Sequence, residues 1–170
     1  MDEQNILKYL KSEDFLTLMA AFTSINAIFL FTDRKFAAGI TLLLIAAIID
    51  LFDGVIARKR NSTTDFGRNL DFLQDAITYC AAVAVLVHMT VKAELISYFL
   101  VIFVSASIIR LARQQLIQSH HEKHYIGLPV TFNLLLPALN LAGVTEPIVY
   151  ATAMAILSLL MVSHKKLTFP

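Results

Sequence analysis

The sequence predicts an all-α integral membrane protein, with six transmembrane helices preceded by a short N-terminal surface helix. Three observations carry that expectation. The 170 residues are 57% hydrophobic and 16% charged, where a soluble domain is typically ~25% charged, and the mean hydropathy is +0.67. The apolar residues gather into six charge-free runs: Phe15–Thr32, Phe36–Ile49, Ala76–Val91, Leu95–Ile109, Tyr125–Thr145 and Pro147–Ser163. The basic residues collect on alternate connections between those runs. Such a chain is not disordered, is not a basic nucleic-acid-binding domain and is not an ordinary water-soluble enzyme. Its single cysteine, Cys80, excludes a disulfide framework or a cysteine metal cluster, and its apolar setting predicts a packing role.

Taken in order, Met1–Lys11 is polar with Ile6, Leu7, Tyr9 and Leu10 as its apolar positions, which suits a helix lying on a membrane surface. It lacks the pattern of a cleavable signal. A spanning helix needs ~20 mostly apolar residues, so the shorter runs must recruit flanking charged residues. The polar Asn61–Phe66 stretch lets the chain reverse between the second and third spans. Asp65 is expected to cap the third helix, which should begin near Gly67. His120, His121 and His124 lie in a polar connector without any cysteine beside them, which favours a basic loop over a zinc site. Gly127-Leu-Pro129 would open the fifth span. Asn133 and Asn140 within it suit hydrogen bonds between helices. Six spans with short connectors use nearly all of the chain, so residues 1–170 read as a single membrane domain.

With six spans, one side collects Lys8, Lys11, Arg58, Lys59, Arg60, Arg68, Arg110, Arg113, Lys123, Lys165 and Lys166. The other holds only Arg34, Lys35 and Lys92. The excess of basic residues marks the cytoplasmic side. Both termini are therefore expected in the cytoplasm, with the active site beside those residues.

The acidic residues carry the functional signal. Asp50, Asp53, Asp71 and Asp75 stand at the ends of the second and third runs, where a carboxylate is costly without a partner. Asp50 and Asp53 are three apart and Asp71 and Asp75 four apart, so each pair shares a helix face. Two antiparallel helices can set the four opposite one another. Their mutual repulsion calls for cations. Salt bridges to Arg58, Lys59, Arg60 and Arg68 are one answer and a proton or cation pathway another. Divalent metal ions are the preferred third, because hard cations choose oxygen ligands and magnesium usually completes its shell with phosphate oxygens. Gly54, Ala57 and Gly67 lie on the same faces. They suit close approach of either a neighbouring helix or a bound nucleotide, and Arg58 offers a planar fork for phosphate oxygens.

Asp50-Leu-Phe-Asp53-Gly54-Val-Ile-Ala57-Arg58, eight further residues, and Gly67-Arg-Asn-Leu-Asp71-Phe-Leu-Gln-Asp75 together resemble the signature of the CDP-alcohol phosphotransferases. That signature is D-x-x-D-G-x-x-A-R-(x8)-G-x-x-x-D-x-x-x-D, and every fixed position is present. The resemblance implies a six-helix membrane enzyme in which an alcohol hydroxyl attacks the lipid-bearing phosphorus of a CDP-linked lipid and CMP leaves. It implies one or two Mg2+ or Mn2+ ions held by Asp50, Asp53, Asp71 and Asp75. Asp71 and Asp75 would be catalytic, Asp75 assisting a second metal or taking the hydroxyl proton. Asp50, Gly54, Ala57, Arg58 and Gly67 would line the cytidine nucleotide. It also implies a homodimer in the cell membrane.

Ile109-Arg110-Leu-Ala-Arg113, Tyr125-Ile-Gly127-Leu-Pro129 and the terminal Leu160-Met-Val-Ser163 are similar to segments of the phosphatidylserine synthase subfamily. That similarity implies CDP-diacylglycerol, or CDP-archaeol, as donor and L-serine as acceptor. Arg110 and Arg113, three apart on one face, would bind the acceptor carboxylate or a lipid phosphate. Where the subfamily continues past the fourth aspartate with a Ser-Phe-Gly-Val-Ala-Pro-like stretch, this chain reads Ile77-Thr-Tyr79-Cys-Ala-Ala82. The asparagine common in the first span has no obvious counterpart among Thr17, Thr23, Ser24 and Asn26. Glycerol phosphate or inositol phosphate as acceptor keeps the same chemistry. A cation transporter or a non-catalytic membrane scaffold is the reading of a different class.

Overall fold

The structure, a computed structural model, describes residues 12–60, 64–119, 125–164 and 166–167, with the backbone alone for 12–13, 53–60, 118–119, 125–126 and 166–167. The expected surface helix over Met1–Lys11 and the histidine-bearing connector lie outside them.

The described chain is helical: α1 (Ser12–Thr32), α2 (Phe36–Arg60), α3 (Asp65–Asp75), a π-helical stretch (Ala76–Ala82), α4 (Val83–Thr90), α5 (Glu94–Ser119), a 3-10 turn (Val130–Leu134), α6 (Leu135–Leu141) and α7 (Pro147–Val162). Tyr125–Ile126 and Lys166–Leu167 form a two-residue antiparallel strand pair. α3, the π-helical stretch and α4 make one continuous rod. Three helical segments, Asp14–Thr32, Asp65–Thr90 and Glu94–Ile117, are long and apolar enough to cross a membrane, while Phe36–Phe52, Val130–Leu141 and Pro147–Val162 are shorter apolar helices.

Cross-chain contacts give the helix directions. Asp14 lies against Gly67 and Ser24 bonds Thr78, so α1 and the rod run parallel. The amide of Gln115 donates to the Asn69 carbonyl oxygen, which brings the C-terminal part of α5 to the start of the rod. Arg113 reaches Met161 and Val162, so α5 and α7 end together. One end of the bundle therefore gathers the start of α1, the start of the rod and the ends of α5 and α7.

Local chemistry sets the reversals. α1 closes with Lys35 N–H donating to Leu30 O at 2.8 Å and Arg34 N–H to Phe31 O at 3.0 Å, around Arg34 in the left-handed conformation (φ 61°). α6 closes the same way, through Val144 N–H to Leu139 O and Gly143 N–H to Asn140 O, with Gly143 at φ 75°. Both are helix stops in which a left-handed residue lets the last carbonyls be satisfied. The rod starts at Asp65 rather than near Gly67. Its cap is Thr64, whose hydroxyl accepts from Gly67 N–H at 3.0 Å. Asp65 sits in the first turn and pairs with Arg68, where a carboxylate complements the helix dipole. The fifth apolar run also departs from expectation. Gly127 is left-handed (φ 78°) and Pro129 extended, so helix begins only at Val130 and stops at Leu141.

The core is built from Phe31, Leu43, Tyr79, Leu86, Phe103, Tyr150 and Met154. Outward, α1 exposes Phe15, Met19, Phe22 and Phe29, and α5 exposes Leu95, Tyr98, Val101 and Ile102. Polar side chains meanwhile turn inward: Asp14, Ser24, Gln74, Thr78, Arg110 and Asn133 are buried. That inversion is expected where the outer faces meet lipid and polar groups serve contacts between helices.

Gly127 and Gly143 make a paired test. A Cβ at Gly127 would stand 2.4 Å from Met161 O and 2.5 Å from Arg113 Nη2, whereas a Cβ at Gly143 meets nothing within 4 Å. Gly143→Ala is expected to cost about 1 kcal/mol through left-handed strain alone. Gly127→Ala should cost clearly more, read as the larger fall in the thermal unfolding midpoint in detergent.

Candidate active site

The second and third helical segments hold Asp50, Asp71 and Asp75 in partly buried positions. Asp50 lies well within α2, about ten residues or ~15 Å before the helix ends at Arg60. The helix thus continues past the charge-free run, and the carboxylate projects from a helix interior rather than from its end. Asp71 and Asp75 sit on the last turns of α3, both half-buried. Directly after Asp75 the backbone widens into the π-helical stretch, which carries Thr78, Tyr79, Cys80 and Ala82 in buried positions.

Tyr79 links the two acidic helices. Its phenolic O–H donates to Asp50 Oδ2 at 2.9 Å, and Asp75 and Asp71 lie near enough for their charges to act on the same phenol. The phenol thus joins Asp50 of α2 to the rod that carries Asp71 and Asp75. Among the described residues, no three acidic, histidine or cysteine side chains close into a metal-holding group. Asp53 stands on α2 with Gly54, Ala57 and Arg58, and the side chains of these four lie outside the described residues.

The π-helical stretch is held from two sides. Asn133 Nδ2 donates to Tyr79 O at 2.9 Å and to Ser107 Oγ at 3.1 Å, and Ser107 Oγ donates in turn to Phe103 O. On the opposite side Gln74 Nε2 donates to Thr78 Oγ1 at 2.8 Å, and Thr78 shares a 2.7 Å hydrogen bond with Ser24 of α1. Buried polar groups in an apolar bundle need such partners. Asn133 is thus one of the bonds between helices expected of it. Cys80 is buried in the core, as its apolar setting suggested.

Gly67 has a specific reason to lack a side chain. A Cβ there would stand 2.8 Å from Asp14 Oδ1 and 3.2 Å from Thr64 Oγ1, so the space over this glycine holds the 3%-exposed Asp14. The two α5 arginines also separate. Arg110 is 4% exposed, one turn from the buried Gln114. Arg113 donates through Nη2 to Met161 O at 2.6 Å and through Nη1 to Val162 O at 3.2 Å, closing the end of α7 where orphan carbonyls favour a cation. Arg68 pairs with Asp65, outside the signature.

Asp14, Gln74, Thr78 and Tyr79 have structural roles that their places in the sequence did not announce. A charged residue at the very edge of the first run was the available signal for Asp14. Tyr79 carried a hydroxyl four residues beyond Asp75.

An apolar helical bundle that carries several carboxylates and a polar network inside it belongs to the class of membrane enzymes acting through hard-cation or acid–base chemistry. The family model for CDP-alcohol phosphatidyltransferases matches residues 13–166, and the chain belongs to that family. The family is generally dependent on divalent metal. Similar proteins include a CDP-diacylglycerol–serine O-phosphatidyltransferase of Methanocaldococcus jannaschii, 27% identical over 162 residues that cover 95% of this chain and 76% of the relative. An archaetidylserine synthase of Methanothermobacter thermautotrophicus is 29% identical over 168 residues, covering 96% and 72%. A CDP-diacylglycerol–serine O-phosphatidyltransferase of Bacillus subtilis is 33% identical over 125 residues, covering 72% and 68%.

The Asp14–Gly67 contact is open to a double-mutant cycle. Gly67→Ala is expected to destabilise the protein by about 1–3 kcal/mol, the range for overpacking a tight contact. In an Asp14→Ala background most of that penalty should vanish, which equilibrium unfolding of the four variants measures.

Proposed function

We propose that this protein transfers a phosphatidyl or archaetidyl group from a CDP-linked lipid to the hydroxyl of L-serine, releasing CMP. The observation that carries the reading is the complete aspartate pattern on α2 and the rod, with the Tyr79 hydroxyl of the rod bonded to Asp50 of α2. Serine as acceptor is supported by the names of the three relatives, each a serine-lipid synthase.

The donor set suits a hard divalent cation. The described site offers carboxylate oxygens, with Cys80 buried in the core, and several like charges near one another need a cation to offset them. Asp50, Asp53, Asp71 and Asp75 are the proposed ligands, for one or two Mg2+ or Mn2+ ions. Bound there, the metal supplies charge compensation for the carboxylates and for the diphosphate as its bond to CMP breaks. The chain's own residues do the rest. Gly54 and Ala57 keep the α2 face low beside the cytidine nucleotide, Gly67 borders it with Asp14 seated over its Cα, Asp50 contributes to that face, and Arg58 holds phosphate oxygens. Asp75, seconded by Asp71, accepts the serine hydroxyl proton. The serine oxygen then forms its bond to the lipid-bearing phosphorus while the bond from that phosphorus to the CMP oxygen breaks. Arg110, buried on α5, is the proposed partner for the serine carboxylate or a lipid phosphate. Arg113, one turn further along α5, is proposed as a second cation for the lipid phosphate, beside the bonds that tie it to the end of α7.

The whole chain acts as one membrane domain in this reading. It crosses the membrane six times, with a surface helix at Met1–Lys11. The alternating helix directions and the eleven-to-three distribution of basic residues support termini and site on the cytoplasmic side. A homodimer in the cell membrane completes the proposal.

The test is purified protein with CDP-diacylglycerol or CDP-archaeol, Mn2+ and a panel of labelled alcohols. Serine is expected to be consumed with release of CMP. Chelation, Asp71→Asn or Asp75→Asn should lower the rate by about 100-fold or more. Turnover of glycerol phosphate or inositol phosphate in place of serine would overturn the acceptor. CMP release that persists after chelation would overturn the metal.

A further inference from the structure

We propose that Tyr79 is a positioning residue for Asp50: a buried phenol, locked by a π-helical turn and by Asn133, that fixes one carboxylate oxygen and so sets the orientation in which Asp50 meets a divalent cation. The inference rests on the reading of Asp50 as a metal ligand and deepens it.

The geometry is specific. Tyr79 is 2% exposed, so its hydroxyl has little water to turn to, and its bond to Asp50 Oδ2 is 2.9 Å long. A free aspartate on a helix samples several rotamers. A donor of fixed position selects one. The phenol is itself fixed because its backbone is. Tyr79 lies in the middle of the π-helical stretch, a geometry found mostly at functional sites, and its carbonyl receives Asn133 Nδ2 at 2.9 Å. The neighbouring Thr78 is tied to Gln74 and to Ser24 of α1. The 3-10 turn and α1 thus clamp the backbone from opposite sides, and the ring carries that rigidity across to α2.

The arrangement also has a chemical consequence. A hydroxyl bonded to one oxygen of a ligating carboxylate orients the ligand and tunes its affinity. Loss of such a partner typically weakens metal binding by about 10–100-fold. A tyrosine serving packing alone would have no such effect, because Tyr79→Phe keeps the ring and removes only the hydroxyl.

The experiment is direct titration of Mn2+ into the full chain in detergent, following the paramagnetic signal of free Mn2+, for wild type, Tyr79→Phe and Asp50→Asn. Mn2+ affinity in Tyr79→Phe is expected to fall about 10–100-fold. Its kcat at saturating Mn2+ should stay within about threefold of wild type, the pattern of a lost binding contribution rather than lost chemistry. The unfolding midpoint of the chelated protein reports packing separately. Unchanged Mn2+ affinity in Tyr79→Phe, with binding lost in Asp50→Asn, overturns the positioning role and leaves the metal site standing. A fall in affinity matched by collapse of the chelated protein's unfolding midpoint also overturns it, since the phenol would then be structural. Wild type that takes up no Mn2+ sinks the metal-ligand reading underneath.

Discussion

The constraint on which the rest of this structure depends is the cost of placing carboxylates inside an apolar bundle. Each one would rather be solvated, and each repels its neighbours, by an amount that grows as water is excluded. The fold answers with position and with donors. Asp50 is met by a phenol from the facing rod, Asp14 is seated over a glycine, and the backbone around Tyr79 is pinned by an amide from the 3-10 turn. The outer faces are left to phenylalanine, leucine and isoleucine, so the polar groups have nowhere to go but inward. A cation among the aspartates, as proposed above, would offset their charge and is also what the transfer of a charged phosphoryl group needs.

The π-helical stretch between α3 and α4 ties this constraint to the fold. A regular helix would carry Asp71, Asp75 and the following residues at a constant angle. Widening the helix at Ala76–Ala82 changes that angle once, just beyond the last aspartate, and sends Tyr79 toward Asp50. Within it the Tyr79 carbonyl accepts from Asn133, which links the site to α5 through Ser107. The short fifth segment, which looks truncated as a spanning helix, has its first turn placed where it can make that link.

Much of this was readable before any coordinates. Four aspartates at spacings of three and four fix two helix faces whatever the tertiary structure, and six charge-free runs fix the helical segments. Other features were not. The expected start of the third helix missed by a few residues because Thr64 and Asp65 are both good terminus residues, and only the hydroxyl contact to Gly67 N–H decides between them. The fifth run read as one span because apolar composition does not reveal a left-handed glycine. Tyr79 stood out only as part of a departure from the subfamily pattern, because a 3.6-residue period cannot anticipate a π-helical turn, and Asp14 drew no role because its partner lies more than fifty residues away. Arg110 and Arg113 looked alike by spacing, yet one is buried and the other reaches the end of α7.

The claim at the centre of the account is that a divalent cation relieves the repulsion among the aspartates, and thermal unfolding in detergent with and without Mn2+ tests it most directly. A ligand at a hundred times its dissociation constant stabilises the folded state by about 2.7 kcal/mol. The wild type is expected to unfold several degrees higher in Mn2+ than in chelator, with the difference abolished in an Asp50→Asn, Asp71→Asn double variant. Equal midpoints in Mn2+ and in chelator, or a shift that survives in the double variant, would contradict it.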